Sequence, residues 1–299
     1  MEKITINFLG TGTAVPTKKR NHTAILASFD NENILFDCGE GIQRQFRIAS
    51  LNPCKLTRVF ITHWHGDHFF GLPGLFETLA MSNYSKTLKL YGPRGTKKFI
   101  ELIRQMLHDI EIKIEVHEIE EGIIINEKKF KIEAAAMTHG PPALAYSLTL
   151  KEKTRINKSK LKKLKIPNSP LIKDLVAGKD ILINNKKIKS SSIVYKEPEK
   201  KIAIILDTSI NPNCEKIAKN SDILIAEASF TKEEMEKAKE YKHLTAEDSA
   251  KIAKITKSKK LILTHISQRF EHNTKPIEKE AKKVFKNTSL ANDFDKIVI

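Results

Sequence analysis

The chain has 299 residues, a formal net charge of +16 and three cysteines, Cys38, Cys54 and Cys214. That length buries a sizeable core without disulfides or a structural metal, and three cysteines with no CxxC spacing argue against a disulfide framework or a thiolate zinc site. The N-terminus "MEKITINFLG" lacks a secretory apolar core and no uncharged apolar run reaches about 18 residues, so a cytoplasmic protein without a membrane span is expected.

In chain order, short β-branched runs read as strands: "ITINFLG", "TAILASF", "ENILFDCG", "RVFITH", "LKLYG", "EIKIEVHEI", "KFKIEAAAMTH", "AYSLTL", "KIAIILDTS", "DILIAEASF", "KLILTHIS" and "KIVI". Helical spacing falls between them near residues 41–50, 95–108, 231–240 and 245–257. This is a mixed α/β pattern in a single domain over residues 1–299, with two runs of strands separated by an insert over residues 151–185. The insert is basic: residues 151–200 carry 15 lysines and arginines against 5 acidic residues, a net of +10, leaving +6 for the rest. A concentration of that kind fits a polyanionic partner, and the segment reads as a projecting arm with a turn at "PNSP".

Four of the apolar runs stop at a residue of metal-ligand type: His63, His139, Asp207 and His265. Sites in open α/β sheets gather beyond the carboxyl ends of strands, so these endings can converge. His63 and His65 lie two apart and face the same way on an extended segment. Asp67 and His68 follow Gly66, whose freedom to turn tightly would aim them at a second metal. An all-nitrogen-and-oxygen donor set suits zinc most, with manganese, iron or cobalt also open.

With HxHxDH and a distant His, Asp and His, the chain resembles the metallo-β-lactamase superfamily. "FLGTGTAVPTKKRN", "ILFDCGEGIQRQF", "THWHGDHFFGLPGL", "AMTHG", "LDTS", "AEASF", "HLTAEDSAKIA" and "LILTHISQRF" make it similar to the short form of the ribonuclease Z family, across nearly its whole length. The resemblance implies a four-layer αβ/βα sandwich and removal of the 3′ trailer from precursor tRNA, leaving a tRNA 3′-hydroxyl and a trailer 5′-phosphate. It implies two zinc ions per subunit, one held by His63, His65 and His139 and one by Asp67, His68 and His265, with Asp207 bridging. Asp67 would also accept the proton of the attacking water. His243, ahead of a helix where Thr245 and Asp248 have capping-box spacing, would contact the scissile phosphate or protonate the leaving 3′ oxygen, and Glu227 would orient it. Asp37 reads as an orienter of ligands.

Gly10 and Gly12 hint at a phosphate loop, but Val15 stands where a GxGxxG motif needs its third glycine, so no nucleotide cofactor is expected. In the family this loop lies at the rim of the site, and Lys18, Lys19 and Arg20 are candidates to hold substrate phosphates. Lys160, Lys162 and Lys163 are the corresponding candidates in the arm, which grips the tRNA body in the family. The arm departs from the family pattern: "IPNSP" replaces a "PPGP"-like turn, and no glycine occurs from Pro141 to Ala177. Short forms are homodimers in which one subunit's arm serves the other's site. Trp64 reads as a packing residue. Three other readings exist: a hydrolase of a small phosphodiester or other ester on the same fold, which His243 and the arm disfavour; a redox di-iron protein of that fold, which would usually show glutamate where His65 stands; and a non-catalytic RNA-binding protein, which seven competent ligand positions disfavour.

Overall fold

The computed structural model describes residues 3–107, 112–164, 166, 169–183 and 186–299. The first half of the chain supplies β1 (Thr5–Gly10), β2 (Ala24–Phe29), β3 (Glu32–Phe36), β4 (Arg58–Phe60), β5 (Thr87–Gly92) and β6 (Lys113–Glu118). It continues with β7 (Gly122–Asn126), β8 (Phe130–Met137) and β9 (Ala143–Leu150), and the insert holds β10 (Lys153–Ile156), β11 (Ile181–Ile183), β12 (Lys186–Ile188) and β13 (Val194–Glu197). The remainder is β14 (Lys200–Ile205), β15 (Ile223–Glu227), β16 (Lys260–Thr264), β17 (Thr288–Leu290) and β18 (Lys296–Val298). Among the described residues two seven-stranded mixed sheets form, ordered β18-β1-β2-β3-β4-β5-β6 and β17-β16-β15-β14-β9-β8-β7.

Side-chain size along the strands dictates the layering. In β9 every residue is buried, which requires cover on both faces. Leu144, Tyr146 and Leu148 join Phe8, Phe36, Phe60, Ile204 and Ile225 in a core between the sheets. The alternate residues Ala143 and Ala145, with Ala135 and Ala203, are small, and lie in a second core with residues of helices Pro212–Ala218, Ala246–Ile255 and Lys275–Val284. Period-two alternation of large and small residues thus lets one face take a sheet and the other take helices close in. On the far side of the first sheet, Phe46, Leu75, Phe76, Ile100 and Ile103 pack from helices Ile42–Ile48, Leu72–Met81 and Thr96–Met106. The four layers are the αβ/βα sandwich expected.

Two bonds stitch the sheets beside the HxHxDH segment: Tyr146 donates its hydroxyl to the Ile61 carbonyl at 2.6 Å, and Leu144 N–H donates to the Thr62 carbonyl at 2.9 Å. The expected helices near residues 41–50, 95–108 and 245–257 form, the last with the Thr245–Asp248 capping box; position 108 lies outside the described residues. Near 231–240 a 3₁₀ turn, Lys232–Glu234, leads into helix Met235–Tyr241.

The insert differs from its expected outline. It runs on to Glu197, because β10 and β13 pair antiparallel from Lys153↔Glu197 to Ile156↔Val194. It also has its own small core of Ile166, Leu175, Ile181, Ile188 and Ile193. The turn expected at "PNSP" lies partly outside the described residues, at positions 167 and 168. The insert springs from between β9 and β14, where Leu150 pairs with Lys200. Among the described residues no helix is long and apolar enough to cross a membrane.

Candidate metal centre

The strand-end residues converge as their spacing predicts. His63 lies three residues beyond β4, and His65 caps the short helix Gly66–Phe69 that carries Asp67 and His68. His139 follows β8, Asp207 follows β14, Glu227 ends β15 and His265 follows β16. Asp37, Asp207 and His265 adopt positive φ of 57°, 34° and 57°, a strain of order 1–3 kcal/mol each for non-glycine residues. Gly66 is not in that region; a Cβ there would instead lie 2.3 Å from the Phe70 ring.

Seven side chains form two adjoining donor sets. In one, His65 Nδ1 lies 3.0 Å from His63 Nε2 and 3.2 Å from His139 Nε2, and Asp207 Oδ2 lies 3.6 and 3.8 Å from those two Nε2 atoms. In the other, Asp67 Oδ2 lies 3.4 Å from His68 Nε2 and 3.5 Å from His265 Nε2, and Asp207 Oδ1 lies 3.4 and 3.2 Å from the same atoms. Donors about 2.1 Å from a tetrahedral zinc stand about 3.4 Å from one another, so both spacings fit a divalent cation. Asp207 gives one oxygen to each set.

The far sides of four of the five rings are tied down. Asp37 Oδ2 accepts from His68 Nδ1 at 2.6 Å and from the Thr62 hydroxyl at 2.8 Å, and that hydroxyl accepts from His63 Nδ1 at 3.1 Å. Asp37 Oδ1 takes the Thr62 amide at 2.7 Å. His139 Nδ1 donates to the Lys242 carbonyl at 3.1 Å, and His265 Nδ1 to the Ser229 hydroxyl at 2.9 Å. In the neutral form of these four rings the bonds fix the tautomer so that the inward nitrogen carries a lone pair. Among the described residues His68 Nε2, His265 Nε2 and Asp207 Oδ1 are buried with no hydrogen-bond partner. Buried polar atoms are rarely left so, and a cation would satisfy all three.

Charge follows the same plan. Burial, with neighbouring imidazoles, lowers the pKa of His63, and burial lowers His65 and His139, so these rings are neutral. Burial alone would raise Asp67 and Asp207, but the surrounding histidines hold both carboxyls well below the usual range. Burial disfavours a charged His68, yet Asp207, Asp37 and Asp67 outweigh it and raise its pKa.

Beside the cluster, His243 Nδ1 donates to Glu227 Oε2 at 2.8 Å. Glu227 is fully buried and also accepts from the Thr208 amide at 2.9 Å and the Ser229 hydroxyl at 2.6 Å. Burial opposes charge on His243, but Glu227 and Asp207 prevail and raise its pKa to about 9. A cavity of about 280 Å³ opens here, with Asp67, Asp207, His243, Phe230, Tyr241 and Arg269 in its wall.

Of the residues expected to bind substrate, Lys18 and Lys19 are exposed but Arg20 is 5 % exposed. Its guanidinium donates to Thr11 Oγ1 at 2.6 Å, the Ala291 carbonyl at 2.7 Å and Asn292 Oδ1 at 2.8 Å. Arg20 therefore corrects the expectation: it ties its loop to the C-terminal segment, and burial lowers its pKa despite Asp293 and Asp295. Lys160, Lys162 and Lys163 are exposed on helix Lys158–Lys163. They are not brought to the site, because the insert leaves β9 at the end remote from His139; β9 has eight residues, about 25 Å at about 3.3 Å each. Trp64 packs as expected, donating Nε1–H to Thr96 Oγ1 at 3.1 Å and stacking on Phe99. Gly10 is required by close packing: a Cβ there would lie 1.7 Å from the His22 carbonyl oxygen. Ser229, Thr62 and Lys242 escaped sequence reasoning. For Ser229 the only signal was its place two residues beyond Glu227 in "AEASF".

Two packed sheets with histidines and aspartates at their strand ends define a metallo-β-lactamase-fold protein. In keeping with that, the metallo-β-lactamase fold protein YhfI from Bacillus subtilis superposes with a TM-score of 0.71 at 17% identity, covering all of both chains. The chain belongs to the ribonuclease Z family: ribonuclease Z of Bacillus velezensis is 36% identical over 303 residues, 98% of each chain. The human short-form tRNase Z structure matches at 28% identity with a TM-score of 0.72, over 98% of each. Residues 4–165 also match the family model described as Anti-Pycsar protein Apyc1; that span includes His63, His65, Asp67, His68 and His139 and stops before Asp207, His243 and His265.

Proposed function

We propose that this protein is a metal-dependent endoribonuclease that removes the 3′ trailer from precursor tRNA by phosphodiester hydrolysis. Membership of the ribonuclease Z family supports the substrate, and the observation that carries the chemistry is the His243–Glu227 pair standing against a seven-residue donor cluster. His63, His65, His139 and Asp207 would hold one ion and Asp67, His68, His265 and Asp207 a second, zinc being the best match to the donors and manganese an alternative. When bound, such a pair supplies Lewis-acid polarisation of water and of the scissile phosphate.

The chain's own residues do the rest. Asp67 lines the cavity beside Asp207 and His243, where it takes the proton of the attacking water. His243, with Nδ1 committed to Glu227, carries its acidic proton on Nε2 and is protonated at neutral pH. It donates that proton to the departing 3′ oxygen, leaving a 3′-hydroxyl on the tRNA and a 5′-phosphate on the trailer.

Residues 1–299 act as one domain bearing a basic arm. Lys160, Lys162 and Lys163 hold the phosphates of the tRNA body, and Lys18 and Lys19 those near the cut. Short forms of the family are homodimers in which one subunit's arm serves the other's site, and an arm rooted about 25 Å from its own metal centre fits the same arrangement here. The enzyme works in the cytoplasm without a nucleotide cofactor. Incubating metal-loaded protein with a trailer-bearing precursor tRNA tests the reading: a single cut after the discriminator nucleotide is expected. Intact RNA together with hydrolysis of a small diester would replace it with the small-ester alternative.

A further inference from the structure

The cavity wall holds three side chains to which no role has been given. Tyr241 ends helix Met235–Tyr241 and is 58 % exposed. Its ring lies parallel to that of buried Phe230, 2° between planes and 6.3 Å between centroids. The Arg269 guanidinium sits 4.7 Å from the Phe230 centroid, anchored by Glu234 at 3.3 Å and the Ser229 carbonyl at 3.4 Å. After Tyr241 the chain turns at Lys242, whose φ is +56°. That left-handed residue folds His243 back so that ring and proton donor line the same cavity.

We infer that Tyr241, backed by Phe230 and flanked by Arg269, is a stacking subsite for an unpaired nucleobase adjoining the scissile phosphate. Three observations carry it. The cavity of about 280 Å³ is just under the about 300–1,000 Å³ of small-molecule sites, room for one base rather than a whole ligand of drug size. The tyrosine is large, exposed and already oriented, so little rotational freedom is lost when a base lands on it. RNA is read at splayed, unstacked bases by aromatic rings and arginine planes, and the junction of acceptor stem and trailer is single-stranded.

The inference rests on the proposed nuclease reading, and its test separates the two. Against precursor tRNA, Tyr241→Ala should raise KM about tenfold with a smaller change in kcat, and Tyr241→Phe and Tyr241→Trp should restore it. Precursors made abasic at each nucleotide flanking the cut should show, at one position, the same tenfold penalty with the wild-type protein and none with Tyr241→Ala. An abasic penalty equal in both proteins at every position overturns the subsite. Quenching of 2-aminopurine in a short single-stranded RNA reads stacking without cleavage: wild-type protein should quench and Tyr241→Ala should not. Quenching without precursor cleavage would sink the nuclease reading and keep the subsite; cleavage with equal quenching by both proteins would do the reverse.

Discussion

Glu227 accepts the Nδ1 proton of His243 at 2.8 Å while holding the Thr208 amide and the Ser229 hydroxyl. Through Ser229, the same carboxylate reaches His265 Nδ1. One buried acid thus connects the proposed proton donor to a proposed metal ligand.

Glu227→Gln removes the negative charge that keeps His243 protonated. The folded pKa of about 9 places the loss of the acid form, and the alkaline fall in kcat, near that value in the wild type. In the variant His243 drops toward the ordinary value of about 6.5, so the fall moves to lower pH. At pH 8 only about 3 % of the variant's His243 would be protonated, so kcat should drop about thirtyfold. A pH–rate profile checks this, and an unmoved alkaline limb contradicts it.

Asp37→Asn tests the support beneath the ligands. Asp37 accepts three hydrogen bonds, two from Thr62 and one from His68. An asparagine amide nitrogen would face a donor with a donor. We expect metal affinity to fall about 10- to 100-fold, measured by competition with a chelator, with ion content restored at excess zinc.

Arg20 and its neighbours separate architecture from binding. Arg20→Ala should cost about 2–3 kcal/mol, because it strands the partners of a buried guanidinium; the melting temperature reads this. A Lys18→Ala, Lys19→Ala double variant should leave that temperature unchanged and flatten the salt dependence of RNA binding by about two charges.

Arm removal is structurally simple. Leu150 and Lys200 are paired neighbours, so a short turn can replace residues 151–199, and the insert's separate core goes with it. The shortened protein should bind precursor tRNA at least about tenfold more weakly at physiological salt while hydrolysing bis(p-nitrophenyl) phosphate at close to the original rate. Equal loss of both activities would show that the insert supports the site rather than the substrate.

Much of this was legible in the sequence because function sits where strands stop. Val59, Ile205 and Leu263 mark buried strands by their composition, and the polar residue after each run then falls at one edge of the sandwich. Thr245 and Asp248 declared a helix start through capping chemistry. Helix Leu72–Met81 was hidden by Pro73 and Gly74, which read as breakers although proline fits the first turn. The insert's strands are three or four residues long, too short for alternation to register, and their isoleucines meet only in three dimensions. Arg20 looked like its lysine neighbours in sequence; its burial depends on Ala291 and Asn292, some 270 residues away. The positive φ of Asp207 and His265 had no sequence signal, since neither is glycine.

The most direct measurement maps both ends of the product made from a 5′-labelled precursor tRNA carrying a 3′ trailer, with metal-loaded wild-type protein and with His243→Ala. One internal cut after the discriminator nucleotide is expected, with a 3′-hydroxyl on the tRNA, a 5′-phosphate on the trailer, and a rate at least about a hundredfold lower for the variant. A ladder of stepwise-shortened products, a 3′-phosphate on the tRNA, or full activity without His243 would contradict it.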